Sequence, residues 1–229
     1  GEIEYFARHT EAVGAITQPK FLEEVRNSAT GLKWIVVTDD NSGEAAEESV
    51  SGADAFSSLY GDADTLPARP AEPMLPAGIM FTSGTTSLPK AVVHTHANAL
   101  WSGNMGSQSM GMDTDSVYLG FLPFFHVNCQ SWAFWGSLGV GATAVLLPKF
   151  SASRFWEIIE KHQVTHSSMI PFVFKAIGMQ AVPENHSLKV MPMGIIWKEI
   201  EGWLKAKPFA SWGMTETVTH ATRSDFVSD

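Results

Sequence analysis

Apolar and polar positions fall in blocks along this chain, and the blocks predict an α/β fold. Glu2 to His9 reads as the end of a helix, and Ala12 to Thr17 as a short apolar strand. From Gln18 to Ser28 the apolar residues Phe21, Leu22 and Val25 keep the spacing of an amphipathic helix. Leu32 to Thr38, L-K-W-I-V-V-T, is strand-like. Strand, helix and strand over this length predict a βαβ unit, and hence a parallel sheet with helices on its faces. Asp39 to Val50 is small and acidic and reads as a surface loop; Ser51 to Tyr60 reads as a short helix. Thr65 to Pro76 carries four prolines and reads as an extended connection.

A second βα run comes later in the chain. Ala97 to Gly111 is helical in character, Val117 to Leu122 a strand, and Asn128 to Leu138 a buried helix carrying Trp132, Phe134 and Trp135. Gly141 to Leu147 is a buried strand. Ser151 or Ser153 is placed to cap the next helix, R-F-W-E-I-I-E-K-H. Val164 to Ile170 is a strand, and Pro171 opens another helix at a position proline tolerates.

Composition narrows the function. The chain has 229 residues, 45% of them hydrophobic and 17% charged, which is a globular composition with room for a sizeable core. Its net charge of −9 argues against sequence-independent nucleic-acid binding, which needs clustered Lys and Arg. A single cysteine, Cys129, excludes an internal disulfide framework and a cysteine-built zinc site, and fits a reducing, cytoplasmic setting. The start, G-E-I-E-Y-F, has no signal-peptide pattern, and the apolar stretch Phe121 to Leu147 is broken by His126, Asn128, Gln130 and glycines, so no membrane span is expected. Asp113 with Asp115, and His94 with His96, are each two apart and are weak candidates for metal ligands, because neither pair has a third ligand nearby.

Between the two βα runs lies I-M-F-T-S-G-T-T-S-L-P-K-A-V-V-H-T-H, from Ile79 to His96. Ile79 to Phe81 and Ala91 to Thr95 are strand-like and flank a loop of hydroxyls with one glycine, ending in Pro89 and Lys90. Gly84 permits close backbone approach, successive N–H groups in such a turn form an anion nest, and hydroxyls and a lysine add donors and charge. The layout is that of a phosphate clamp. It is not a Walker A loop, which requires G-x-x-x-x-G-K-[ST] before a helix.

Phe81 to Lys90 resembles the phosphate-binding signature of the AMP-forming adenylate superfamily: acyl- and aryl-CoA ligases, luciferases and peptide-synthetase adenylation domains. Ser87 and Ala91 stand where that family usually has glycine, and the serine variant looks most like the crotonobetaine/carnitine–CoA ligase branch. Pro123 to Val127, P-F-F-H-V, resembles the segment that turns an aromatic–His pair toward the acyl pocket. Ser211 to Thr217, S-W-G-M-T-E-T, resembles the aromatic-Gly-x-Thr-Glu signature, with Trp212 where tyrosine is commoner.

The resemblance implies a part of the large N-terminal, AMP-binding domain: residues 1–76 as a first βα subdomain and the approach to the phosphate loop, and 77–229 as the loop and a second βα subdomain. The C-terminal lid domain is then absent, and the chain alone is expected to turn over weakly or not at all. The stretch from Val190 to Phe209 is short for the family. The implied activity is an ATP-dependent, AMP-forming acid–CoA ligase acting on a small carboxylic acid, zwitterionic in the branch it resembles. Cofactors are ATP, Mg²⁺ and CoA, and a homodimer is left open. Thr82, Ser83, Gly84, Thr85, Thr86 and Lys90 would hold the β- and γ-phosphates. Trp212, Gly213, Met214 and Thr215 would hold the adenylate, with Thr215 on the α-phosphate. Glu216 would bind magnesium, and His126 and Trp132 would line the acid pocket. The alternatives are an adenylation enzyme that loads a carrier-protein thiol, and a non-catalytic nucleotide-binding module.

Overall fold

The computed structural model describes residues 1–38, 50–82, 88–194 and 198–224. The predicted acidic loop at 39–50 lies outside the described residues except for its last position. The chain divides into two compact units, residues 1–70 and 71–229.

In the first unit α1 (Glu2–His9) precedes β1 (Gly14–Thr17), α2 (Leu22–Ser28), β2 (Trp34–Val37) and β3 (Asp54–Ala55). The three strands pair in parallel in the order β1-β2-β3, with Ile16 opposite Val36 and Val37 opposite Ala55. Val36 and Val37 are buried at the centre of the sheet, as a strand with neighbours on both edges requires. The helix expected over Ser51 to Tyr60 is instead the two-residue strand β3 followed by a 3₁₀ turn over Phe56–Leu59. Pairing with β2 supplies backbone partners that an isolated short helix lacks.

In the second unit β4 (Pro76–Thr82) and β5 (Lys90–Thr95) form an antiparallel pair, with Thr82 opposite Lys90 and Gly78 opposite His94. Thr95 then starts α3 (His96–Met110). Its hydroxyl accepts from the Asn98 N–H at 3.2 Å, while the Asn98 side chain accepts from the Thr95 N–H at 2.9 Å. The Leu75 and Pro73 carbonyls accept from the N–H groups of His96 and Ala97. His96 is therefore the first helical residue and not a strand neighbour of His94. The two rings do not share a face, which removes the paired-histidine reading.

The rest of the unit is built on five parallel strands: β6 (Val117–Gly120), β7 (Thr143–Leu146), β8 (His166–Ser167), β9 (Val190–Met193) and β10 (Lys207–Gly213). The antiparallel β11 (His220–Arg223) closes one edge, in the order β11-β10-β9-β8-β6-β7. Alternate residues face opposite layers. Leu119 and Met191 pack with α5 (Phe155–His162), α6 (Pro171–Ile177) and α7 (Lys198–Leu204), against Phe155, Ile159, Val173, Ile177 and Leu204. Tyr118, Val190 and Phe209 face the other layer with Met110, Cys129 and Trp132. Across the sheet, His166 Nε2 donates to the Met110 carbonyl at 3.1 Å and ties the end of α3 to β8.

Residues Asn128–Trp135 form a π-helix that runs into α4 (Gly136–Val140), where an ordinary buried helix is expected. A Cβ on Gly103 of α3 would lie 2.6 Å from the Trp135 carbonyl, so glycine is what lets the two helices approach there. No serine side chain caps the start of α5: Ser151 and Ser153 hydroxyls face each other at 3.4 Å, and a 3₁₀ turn over Ala152–Arg154 leads in instead. Among the described residues no helix is long and apolar enough to cross a membrane.

Burial makes this core sensitive to acid. Desolvation lowers the pKa of His126, His166 and His186, and that of His220 falls to about 4, with Arg223 adding repulsion. His220 lies between Trp132 and Phe209, ring centroids 5.5 and 5.4 Å away. A histidine whose folded pKa is depressed contributes stability that is fully present above its unfolded pKa of 6.5 and is lost as pH falls through the folded value. For His220 this is on the order of 3 kcal/mol. We expect the midpoint of thermal unfolding to be flat above pH 7 and to fall steadily from pH 6.5 toward 4. His220→Phe should flatten that fall, which unfolding followed by circular dichroism across this range will check.

Candidate active site

All five parallel strands of the second unit end on the same edge of the sheet. Sequence order reverses there: β6 is followed by its neighbour β7 on one side, and then by β8 on the other. Ligands of open parallel sheets bind at such a switch point, outside the carboxyl ends of the strands. A cavity of about 300 Å³ lies at this edge. His126, Val127 and Asn128 reach it after β6, Met169 and Ile170 after β8, Met193 and Gly194 at the end of β9, and Ser211, Trp212 and Gly213 at the end of β10. Trp132 and Thr219 complete the lining.

His126 is exposed on one side, while the burial of the rest of its ring lowers its pKa. Its Nδ1 accepts the Asn128 N–H at 3.1 Å. Both effects favour the neutral ring with the proton on Nε2, so this residue offers an uncharged N–H donor at the cavity. Trp132 is buried, and its Nε1 has no hydrogen-bond partner among the described residues; the same holds for Ser211 Oγ and Thr219 Oγ1. A buried polar group left in that state costs about 1–3 kcal/mol. Cys129 lies just outside this lining, and burial pushes its thiol up to about 11, which keeps it protonated and unreactive as a nucleophile.

Trp212 and Gly213 sit where the β10–β11 ladder shifts register. The Trp212 ring is 60% exposed, leaving a face free for stacking. A Cβ on Gly213 would meet the Thr219 carbonyl at 2.5 Å, so only glycine permits the chain to fold back this closely. Thr215–Thr217 form a tight 3₁₀ turn. Thr217 Oγ1 accepts the Met214 N–H at 3.0 Å and donates to the Thr219 carbonyl at 2.7 Å. Val218 leaves the turn at φ 66°, a strained conformation for a β-branched residue. The turn presents Glu216 to solvent, and its carboxylate pairs with no cation among the described residues.

The lysine hairpin reaches the same turn. β4 packs against it, and His94 Nε2 lies 2.8 Å from the Thr215 carbonyl oxygen. Lys90 and Thr82, opposite each other in the ladder, thus belong to the same assembly as Thr215 and Glu216. Met214 is 43% exposed and lies outside the cavity lining. Ser83, Gly84, Thr85 and Thr86 lie outside the described residues. Among the described residues no group of three or more His, Cys, Asp or Glu comes together, so neither the Asp113–Asp115 pair nor His94 belongs to a protein-built metal cage. Asp113 instead accepts from Ser116 Oγ at 2.8 Å, which lowers its pKa.

The family profile described as "AMP-binding enzyme" matches residues 1–229, the whole chain. The chain belongs to the AMP-binding enzyme family. Among curated relatives of this AMP-binding chain, the crotonobetaine/carnitine–CoA ligase of Escherichia coli K12 is 32% identical over 210 residues, 87% of this chain and 40% of that protein. The Proteus mirabilis protein of the same name is 37% identical over 150 residues, 62% of this chain and 29% of its own length. The chain thus spans less than half the length of these relatives. Solved structures share the fold. An anthranilate–CoA ligase in complex with anthranoyl-AMP superposes with a TM-score of 0.83 at 21% identity, over 98% of this chain and 45% of that one. ATP-bound MatB from Rhodopseudomonas palustris superposes at 0.81 and 17% identity, over 99% and 45%.

Four lining residues lie outside the motifs: Asn128, Met169, Ile170 and Thr219. Asn128 follows β6, Met169 and Ile170 follow β8 and Thr219 follows β10, a placement that requires strand order to read. His94 has a single local signal, a histidine on a strand next to the Lys90 that ends the hydroxyl-rich stretch. We expect Gly213→Ala to lower stability by about 1–3 kcal/mol, because the added carbon meets backbone rather than a movable side chain. Denaturant unfolding of the variant measures this directly; an unchanged midpoint would mean the fold-back is looser than its geometry.

Proposed function

We propose that this chain forms the nucleotide- and acid-binding part of an AMP-forming acid–CoA ligase acting on a small carboxylic acid. The observation that carries the reading is one edge of one sheet. It holds a cavity lined by His126, Trp132, Trp212 and Gly213, beside a Thr–Glu turn fastened to a Lys-bearing hairpin. The curated relatives' names support CoA as the thiol and put quaternary-ammonium acids on the panel to test.

In the first half-reaction a carboxylate oxygen of the acid attacks the α-phosphorus of ATP. The bond to the bridging oxygen breaks, pyrophosphate leaves with the electron pair, and an acyl-adenylate forms. The acid ionises near pH 4, so it needs no general base. In the second half-reaction a thiol sulfur attacks the acyl carbon, AMP leaves, and a thioester forms. The protein must supply positioning and charge neutralisation. Lys90 and Thr82, with the hydroxyl loop between them, hold the β- and γ-phosphates. Thr215 donates to the α-phosphate, and Trp212 stacks on the purine. Neutral His126 donates to the acid at the cavity mouth, and Trp132 bounds its tail. Glu216, a single exposed hard-oxygen donor, fits Mg²⁺ shared with phosphate oxygens, which would neutralise charge building on the leaving group.

The protein expressed from its intact gene should exchange labelled pyrophosphate into ATP when supplied with its acid. A panel of short, branched, aromatic and betaine-type acids tests this, and silence across the panel overturns the ligase reading. In the active system Lys90→Ala should lower kcat/KM for ATP by about 10²–10³-fold. His126→Ala should raise the KM of the acid about tenfold while leaving that of ATP nearly unchanged.

A further inference from the structure

We propose that His94 is a positioning residue for adenylation, and that it sets the distance between the lysine that clamps phosphate and the turn that carries Glu216. The inference rests on the ligase reading for its chemistry, but on geometry for its substance. Lys90, Val92 and His94 are alternate residues of β5 and so project from one face of the strand. At about 3.3 Å per residue, the Cα atoms of Lys90 and His94 lie roughly 13 Å apart on a rigid, paired backbone. His94 is 3% exposed, and its Nε2 is 2.8 Å from the Thr215 carbonyl oxygen, 121 residues away in sequence. The carbonyl has no proton to give, so His94 is the donor and carries hydrogen on Nε2.

A buried histidine satisfied by a carbonyl is ordinary packing in most folds. Three features lift this one above that. First, its acceptor belongs to the residue adjoining Glu216. Second, the turn it grips has a reason to drift. Val218 leaves the turn at φ 66°, and the hold on it from within comes from Thr217 and from the Val218 N–H, which donates to the same Thr215 oxygen at 3.2 Å. A strained turn persists only where its surroundings over-determine it, and His94 supplies that constraint from outside the turn. Third, the strand it stands on is the one that carries Lys90, directly opposite Thr82. One hydrogen bond therefore joins the phosphate-facing and acid-bearing segments into one rigid frame. Phosphoryl-transfer rates depend steeply on such spacing: a displacement of 1 Å at the reacting groups costs about a hundredfold.

The test uses the protein from its intact gene with three variants. His94→Leu fills the space without a donor. His94→Gln keeps an N–H donor at the reach of Nε2, and His94→Asn keeps a donor that falls short of the carbonyl. Pyrophosphate exchange is measured per folded molecule against acid and magnesium, and Mg-ATP binding is measured by calorimetry. Leu and Asn should lower kcat about ten- to a hundredfold. They should also raise the magnesium concentration for half-maximal rate and leave the KM of the acid in place, and Gln should recover most of the loss. A role in stability alone would move the unfolding midpoint without moving magnesium dependence, and would not separate Gln from Asn. Wild-type kcat and magnesium dependence in His94→Leu, or Gln no better than Asn, overturns the inference. If Leu fails to fold, the Gln–Asn comparison still decides. Wild-type protein that exchanges with no acid overturns the ligase reading instead; calorimetry then tells the two apart. Tight Mg-ATP binding that weakens in Asn and not in Gln supports the frame, and binding indifferent to residue 94 removes it.

Discussion

Parallel pairing is the constraint that shapes the whole of the second unit. Two neighbouring parallel strands cannot be joined by a tight turn, so each step from β6 to β10 needs a crossover that covers a face of the sheet. The crossovers bring α5 to α7 onto one face and leave the π-helix and α3 on the other. The same rule brings every carboxyl end to one edge. Loops far apart in sequence must meet there, and the reversal of order at β6 leaves a gap between β6 and β8 for them to line. Cavity and fold thus share one cause.

Polar groups in this layered interior are settled locally and at measurable cost. His166 joins two layers through the Met110 carbonyl, with Thr165 Oγ1 2.8 Å from its other nitrogen. Tyr118 and Ser168 hydroxyls meet at 2.6 Å, and burial drives the phenol's pKa upward. At the cavity Trp132, Ser211 and Thr219 keep polar atoms without protein partners among the described residues, as do Ser131 and Trp156 away from its lining. Open polar atoms beside a cavity suit an entering ligand or ordered water.

Much of this is legible in the residues alone. The periodicity of Gln18 to Ser28 between two apolar strands points to the parallel first sheet, and the proline at 171 marks a helix start. Local motifs can be read because each depends on a few adjacent residue types. The hidden features depend on partners far away. Whether β4 and β5 run antiparallel, where β3 adds to its sheet, and which loops share an edge are all properties of pairing, to which periodicity is blind. His96 falls between the strand-like run that ends at Thr95 and the helical one that starts at Ala97; Thr95 fits a strand end and a helix cap equally well, and its exchange with the Asn98 side chain makes it a cap. The bond from His94 to Thr215 spans too much sequence for any local rule to find.

The π-helix carries a consequence for how such a cavity changes over time. A π turn holds one residue more than its α counterpart needs, so the segment Asn128–Trp135 contains slack that the neighbouring strands do not. Loss of a single residue there would return the turn to ordinary α pitch and shift the side chains within it. Trp132 is one of those side chains and lines the cavity, while β6 and β7 lie outside the segment. Shortening by one, rather than exchanging side chains one by one, is then a direct route to a reshaped cavity wall on the same sheet.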